Sequence, residues 1–209
     1  MDVGKKTEWQ KSSLEGTFFV IDENNKAKDC LSKLLNQKEL MMIVIDALAS
    51  TICQYTRTVV IPGKPYFKNK VSKDKPALAG LIRFDSEKIA MELFLGLSQD
   101  LFFLLYENMF QERLNKISEE NADLVAEILN IAFGVIDPKF RKLGYNLKSS
   151  FPKIYTGKKL NLAMRKILPE AIVIPYTVDS KFFFLEIYST DCLNEKWEYD
   201  SKSPLQKAS

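Results

Sequence analysis

Histidine is absent from the 209 residues. No imidazole is available to act as a general base, to complete a Ser-His triad or to ligate a metal. Cysteine is scarce. Cys30, Cys53 and Cys192 are widely spaced and form no Cys-x-x-Cys pair, which argues against a disulfide framework or a zinc site and for reduced thiols in a cytosolic protein. Long apolar runs are missing as well. The longest, Leu40–Ile45, is interrupted by Asp46 and is far too short to span a bilayer. The first ten residues hold no apolar signal core. A large charge excess is also lacking: the net charge is +3, and no Lys/Arg-dense stripe with interleaved aromatics stands out, so nucleic acid is not the default partner. One basic stretch, Lys64, Lys68, Lys70, Lys73 and Lys75, reads as a solvated loop. These absences predict a soluble, cytoplasmic chain without membrane insertion.

What is present suits one domain with appendages, and an apolar fraction of 46% is enough for a sizeable core. Residues 1–38 read as an N-terminal extension, with a short β-prone run at Thr17–Ile21 and a weakly helical stretch over 26–37. Glu39–Tyr55 has helical apolar spacing. Val59–Pro65 is a short strand followed by a Pro/Gly turn. Ala77–Phe84 and Ile89–Gly96 predict a hairpin. Ser98 is a plausible N-cap for a helix through Phe110, with Phe102, Phe103, Leu105 and Tyr106 on its core side. Ser118 caps the next helix, with Asn121 three positions on, so no full capping box is expected. Pro138 is expected to end or kink that helix, and Asp137 to cap a further short one. Phe151–Gly157 is a strand approach and turn. Leu160–Ile167, Ala171–Thr177 and Lys181–Tyr188 read as strands, the last two as a hairpin. Residues 191–209 form a polar tail. The order predicts an α+β fold, with an antiparallel-rich sheet and packed helices.

The helix after Ser118 carries an unusual pattern. Over Asp123–Asp137, the polar or side-chain-free positions Asp123, Glu127, Asn130, Gly134 and Asp137 fall within roughly 80° of the circumference, at about 100° per residue. All other positions are apolar, the reverse of an ordinary surface helix. Asp123, Glu127 and Asn130 are neighbours on one face. Carboxylates pair with cations or hold water, an amide donates and accepts at once, and a glycine admits a close neighbour. Three chemistries fit: a two-carboxylate hydrolase site, an oxygen-ligand metal site, or a ridge that inserts an amide into another protein's active site. A buried helix with one wet edge and no further role fits the same pattern.

Asp-x-x-x-Glu-x-x-Asn, here Asp123, Glu127 and Asn130, followed about twenty residues later by Pro152, resembles the signature of the CheC/CheX phosphatases of bacterial chemotaxis. Other segments agree in order. Pro62-Gly-Lys-Pro65 resembles an early turn of the family, and Ala79-Gly80 its hairpin opening. Phe151-Pro152…Thr156-Gly157 resembles its Pro-x-x-x-x-Gly, while Ile172–Pro175 and Phe183–Ile187 resemble its closing hairpin. The likeness covers roughly residues 39–190 and is closest to CheX. A second Glu-x-x-Asn, Glu112–Asn115, has Asn108 at the Asp/Ser position and sits at a charged helix end, so it is read as a decoy.

The resemblance implies a phosphatase that hydrolyses the aspartyl phosphate of a CheY-type receiver. By this likeness Glu127 pairs with the receiver's active-site lysine and Asn130 positions the attacking water. Asp123, Gly134 and Pro152 play supporting parts. The phosphatase has no cofactor of its own, Mg2+ is held by the partner receiver, and a homodimer is plausible. Leu129 stands where the family commonly has a small residue. About 100° from Asn130 on the helix, it either faces the core or obstructs a partner's approach. If it obstructs, the same fold serves as a receiver-binding or scaffold protein without catalysis, as related domains do in flagellar switch proteins.

Overall fold

The computed structural model describes residues 38–68, 75–166 and 171–189. The expected strand Thr17–Ile21, the weak helix over 26–37 and the polar tail lie outside the described residues. In chain order the elements are α1 (Lys38–Thr56), β1 (Ile61–Pro62), β2 (Tyr66–Lys68), β3 (Leu78–Asp85), β4 (Ala90–Leu97), α2 (Gln99–Phe110), α3 (Glu119–Ala122), α4 (Leu124–Lys142), β5 (Lys148–Ser149), β6 (Lys153–Thr156), α5 (Gly157–Lys166), β7 (Ala171–Val178) and β8 (Lys181–Ser189).

The strands join one antiparallel sheet in the order β1-β7-β8-β4-β3-β5, with β2 on β7 and β6 on β3. Both expected hairpins form. β3 and β4 pair from Leu78↔Leu97 to Asp85↔Ala90. Their loop is tied by the Ser86 hydroxyl, which accepts from the Lys88 and Ile89 amides. β7 and β8 meet at Val178↔Lys181 across Asp179 and Ser180. Both turn residues have positive φ, as the tight hairpin turns that match strand twist require.

The two sheet faces differ. α1, α2 and α4 cover one face, and their apolar stripes close the main core around residues such as Leu48, Ile52, Ile82, Leu95, Leu129 and Ile174. The other face holds a smaller cluster, including Ala79, Phe94, Val173 and Phe184, beneath α5. α5 corrects the strand expected over Leu160–Ile167. Leu160, Leu162 and Met164 alternate like strand residues. In the fold, however, Leu160 and Ala163, one helical turn apart, are buried, while Leu162 is exposed. Gly157, at φ +49, lets the chain turn from β6 straight into this helix.

Further corrections concern polar residues. Lys68 is not solvated: it is buried and paired with the buried Glu186 at 2.7 Å. The Tyr188 hydroxyl donates to the same carboxylate. Burial and then that negative charge push the Tyr188 phenol far above its ordinary range. Ser98 precedes α2 but makes no side-chain cap hydrogen bond. The helix after Ser118 is split into α3 and α4 at Asp123, and Ser118 does build a capping box: its hydroxyl accepts from the Asn121 amide while the Asn121 side chain accepts from the Ser118 amide. An Asn oxygen can take the part that Glu or Gln usually plays. α4 runs on through Pro138 to Lys142, and Asp137 pairs with Arg141 at 2.9 Å instead of capping a new helix. Pro138 and Gly134 are both exposed. The Gly134 carbonyl that Pro138 deprives of its helical donor is therefore left to water, and the helix tolerates the loss.

Gly80 of β3 sets how closely α4 sits on the sheet. A Cβ there would lie 2.6 Å from Leu129 Cδ1 and 2.8 Å from Val125 Cγ1. Gly80→Ala is expected to lower stability by about 1–3 kcal/mol through overpacking, read by urea unfolding, with Leu129→Ala in the same chain recovering part of the loss. On the opposite face, burial raises the carboxyl pKa of Glu92, and the Arg83 and Lys153 charges only partly offset it. The raised folded-state pKa gives stability that is full below the unfolded value and is lost as pH rises through the folded one. Glu92→Gln should therefore gain stability relative to the parent chain as pH rises above the ordinary glutamate value of about 4.3. Thermal midpoints across that rise check the sign.

Candidate functional site: the ridge of α4

α4 begins under strong local control. The Ser118 capping box satisfies its approach, Glu119 and Glu120 lie in the first turn of α3, where the helix dipole favours negative charge, and Asp123 joins α3 to α4. From there the apolar positions turn inward. Leu124, Val125, Ile128, Leu129, Ala132, Ile136 and Phe140 are buried. The side chains of Asp123, Glu127 and Asn130, and the bare backbone of Gly134, are exposed along one line. The sequence stripe is thus brought together as a surface ridge, and the partly covered Asp137 ends it.

The side chains of Glu127 and Asn130 have no hydrogen-bond or ion-pair partner among the described residues. Nothing inside the chain uses their donors and acceptors, yet the helix backbone holds them one turn apart. A Cβ on Gly134 would meet nothing within 4 Å. No internal packing calls for a glycine here, although glycine in a helix interior costs roughly 0.5–1 kcal/mol relative to Ala. The open spot it leaves is on the outside. Among the described residues no group of three or more Cys, Asp or Glu side chains converges as metal ligands would.

Leu129 is only 2% exposed and fills the space above Gly80. It faces the core, so it does not stand between Asn130 and a partner. Gly80 is the reason a Leu fits at this position. Ala79-Gly80 is visible in the sequence as part of a motif, whereas the complementarity of Gly80 and Leu129 exists only across two elements.

Pro152 has a structural explanation. β3 pairs with β6 at Leu81↔Lys153 and with β5 at Phe84↔Ser149. Between these points, Ser150, Phe151 and Pro152 face only Ile82 and Arg83, so the edge carries a one-residue bulge. The Ser150 amide donates to the Arg83 carbonyl, and the Ser150 hydroxyl accepts from the Arg83 amide. Proline cannot donate to a ladder and belongs at such a place. The bulge lies alongside the ridge. Gly80 meets Val125 and Leu129, Phe84 packs on Phe133 at 4.9 Å between ring centroids, and the bulge opposite Ile82 falls between these two heights. Pro152 is therefore level with Leu129–Ala132. Glu112 and Asn115, the decoy pair, sit in a non-helical segment and share no helix face.

Comparison with known proteins agrees with this geometry. Residues 78–177 match the family described as chemotaxis phosphatase CheX. No curated protein shows significant sequence similarity to the chain. Among solved structures, the chemotaxis protein CheX from Vibrio vulnificus is similar at 20% identity and a TM-score of 0.62, over 72% of this chain and 99% of that one. A CheC-like superfamily protein from Shewanella sp. PV-4 is similar at 23% identity and a TM-score of 0.63, over 72% of this chain and 96% of that one. The CheX–CheY–BeF3–Mg2+ complex from Borrelia burgdorferi matches at 15% identity and a TM-score of 0.58, over 71% of this chain and 96% of that one. At these identities the structures speak for the fold, and the family match speaks for the sequence. Residues 78–177 thus resemble the CheX chemotaxis phosphatase family in sequence, and the described residues share the fold of the CheX- and CheC-like structures.

Proposed function

We propose that this chain, through a domain spanning residues 39–190, hydrolyses the aspartyl phosphate of a CheY-type receiver. The observation that carries the reading is the pair Glu127 and Asn130, exposed and without an internal partner on the one polar line of an otherwise buried helix. Such a pair is built for a second protein. Glu127 meets the receiver's active-site lysine and sets the docking register. Asn130 then enters the phosphorylated site. Its amide accepts one hydrogen bond and donates another, so it holds a water in line with the bond between phosphorus and the aspartyl oxygen.

In the step itself, the water oxygen forms a new bond to phosphorus as the aspartyl P–O bond breaks. The carboxylate leaves with the electron pair, and inorganic phosphate takes the water's oxygen together with its two protons. Little covalent chemistry falls to this chain, and its contribution is positioning. Mg2+ neutralises the developing charge from the receiver's side. That Mg2+ and BeF3 are named in the CheX–CheY complex from Borrelia burgdorferi supports this division of labour. Asp123 supports the start of α4, Gly134 leaves room for the partner's backbone, and Pro152 holds the bulge beside the ridge.

The test is phosphate release from a CheY-type receiver encoded by the same genome and phosphorylated with a small-molecule donor. Asn130→Ala should cut the accelerated rate by about a hundredfold. Glu127→Ala should mainly raise KM, by about tenfold. Both side chains are exposed, so thermal midpoints should match the parent chain. Equal rates for the parent and Asn130→Ala would sink the proposal.

A further inference from the structure

The edge bulge does more than accommodate a proline. Phe151, at its centre, is 86% exposed, more than any other large apolar side chain among the described residues. Leaving an aromatic ring of this size in water is unfavourable, and covering it is a source of binding affinity. A bulge turns a side chain away from the regular alternation of a strand, and here it turns a phenylalanine into solvent.

The position is specific. Through its register opposite Ile82 and Arg83, Phe151 is level with the stretch of α4 that carries Asn130. It is also on the same flank. Val125, Leu129 and Phe133 are α4 residues that meet β3, while Ala132 and Ile136 line the space shared with Val44 and Leu48 of α1. Asn130 follows Leu129 by one position on that side of the helix, turned outward past Ala126 and Phe133. α1 packs against β1 and β7 as well as α4, so it covers the other flank, toward the far edge of the sheet. β5 and β6 pair on the side of β3 away from β4, with no further strand beyond them among the described residues; α3 and α5 pack against β6 and are joined by the Lys159–Glu119 ion pair. The exposed Val59 and Ile61 lie at or beside β1, at the far edge.

We infer that Phe151 is an apolar anchor for the same receiver that Glu127 and Asn130 engage. This rests on the reading of the ridge as a receiver-docking site. A polar ridge alone gives orientation but buries little apolar surface, and binding sites concentrate their energy in a few aromatic anchors next to such polar contacts. A domain seated on Glu127 and Asn130 and overhanging the β3 side of α4 covers the bulge at the height of Phe151. The ring then supplies affinity, while the ridge supplies chemistry. Phe151 is therefore a binding residue outside the Glu-x-x-Asn pair.

The experiment is titration of the receiver, loaded with Mg2+ and beryllofluoride, into the parent chain, Phe151→Ser, Phe151→Tyr and Asn130→Ala, with turnover of the phosphorylated receiver measured in parallel. Phe151→Ser should weaken Kd and raise KM about tenfold, with kcat unchanged. Phe151→Tyr should keep Kd within about twofold of the parent, which ties the loss to the ring and not to a disturbed bulge. Asn130→Ala should do the opposite, lowering kcat with little change in Kd. A parent-like Kd and KM for Phe151→Ser, together with a collapsed kcat for Asn130→Ala, would overturn this inference and leave the phosphatase intact. A parent chain that neither binds nor dephosphorylates the receiver would overturn both.

Discussion

The contact on which the rest of the structure depends is the seat of α4 on β3. Gly80 has no side chain, so Leu129 and Val125 descend to the strand backbone itself. That contact fixes both the rotation and the height of the helix. With Leu129 and Val125 inward, Asp123, Glu127, Asn130 and Gly134 have no orientation left but outward. A side chain at position 80 would lift or turn α4 and move the whole line of polar residues against the sheet edge. The precision of the surface ridge is therefore set by a buried contact that no partner touches.

The buried contacts and the exposed polar ridge lie on different surfaces. The main core lies between the sheet and α1, α2 and α4. The opposite face takes a buried charge pair, Lys68 with Glu186, and adds the Tyr188 hydroxyl to the same carboxylate. Removing one member of such a pair typically costs about 3–5 kcal/mol, because the other is left buried and uncompensated. The ridge residues, by contrast, satisfy nothing inside the molecule. They can vary at almost no cost to folding, as the proposed insertion into a partner's active site requires.

At several positions a distant contact overrides the local pattern. Leu160, Leu162 and Met164 alternate, yet only the helical spacing of Leu160 and Ala163 finds a surface to cover. Lys68 sat in a basic stretch whose composition says solvent, but Glu186, far away in sequence, pulled it inside. Pro138 carries a breaker signal, but its exposed face lets water replace the lost bond. Leu129 was the residue whose direction mattered most, and its answer lay at Gly80, on an element whose distance from α4 no sequence pattern reports.

By itself the sequence determined the periodic features: the two hairpins, the amphipathic helices, and the line of Asp123, Glu127, Asn130 and Gly134 with its family resemblance. These depend on spacing along one element, and spacing is written in the chain. Only the tertiary structure decided what pairs of elements do together. It placed Leu129 into the gap above Gly80, closed the Lys68–Glu186 pair, and offset β5 from β6 by one residue so that Pro152 and Phe151 stand level with Asn130. The physical reason is that helix height and strand register are set by packing across elements, where the fit of one missing Cβ outweighs any local preference.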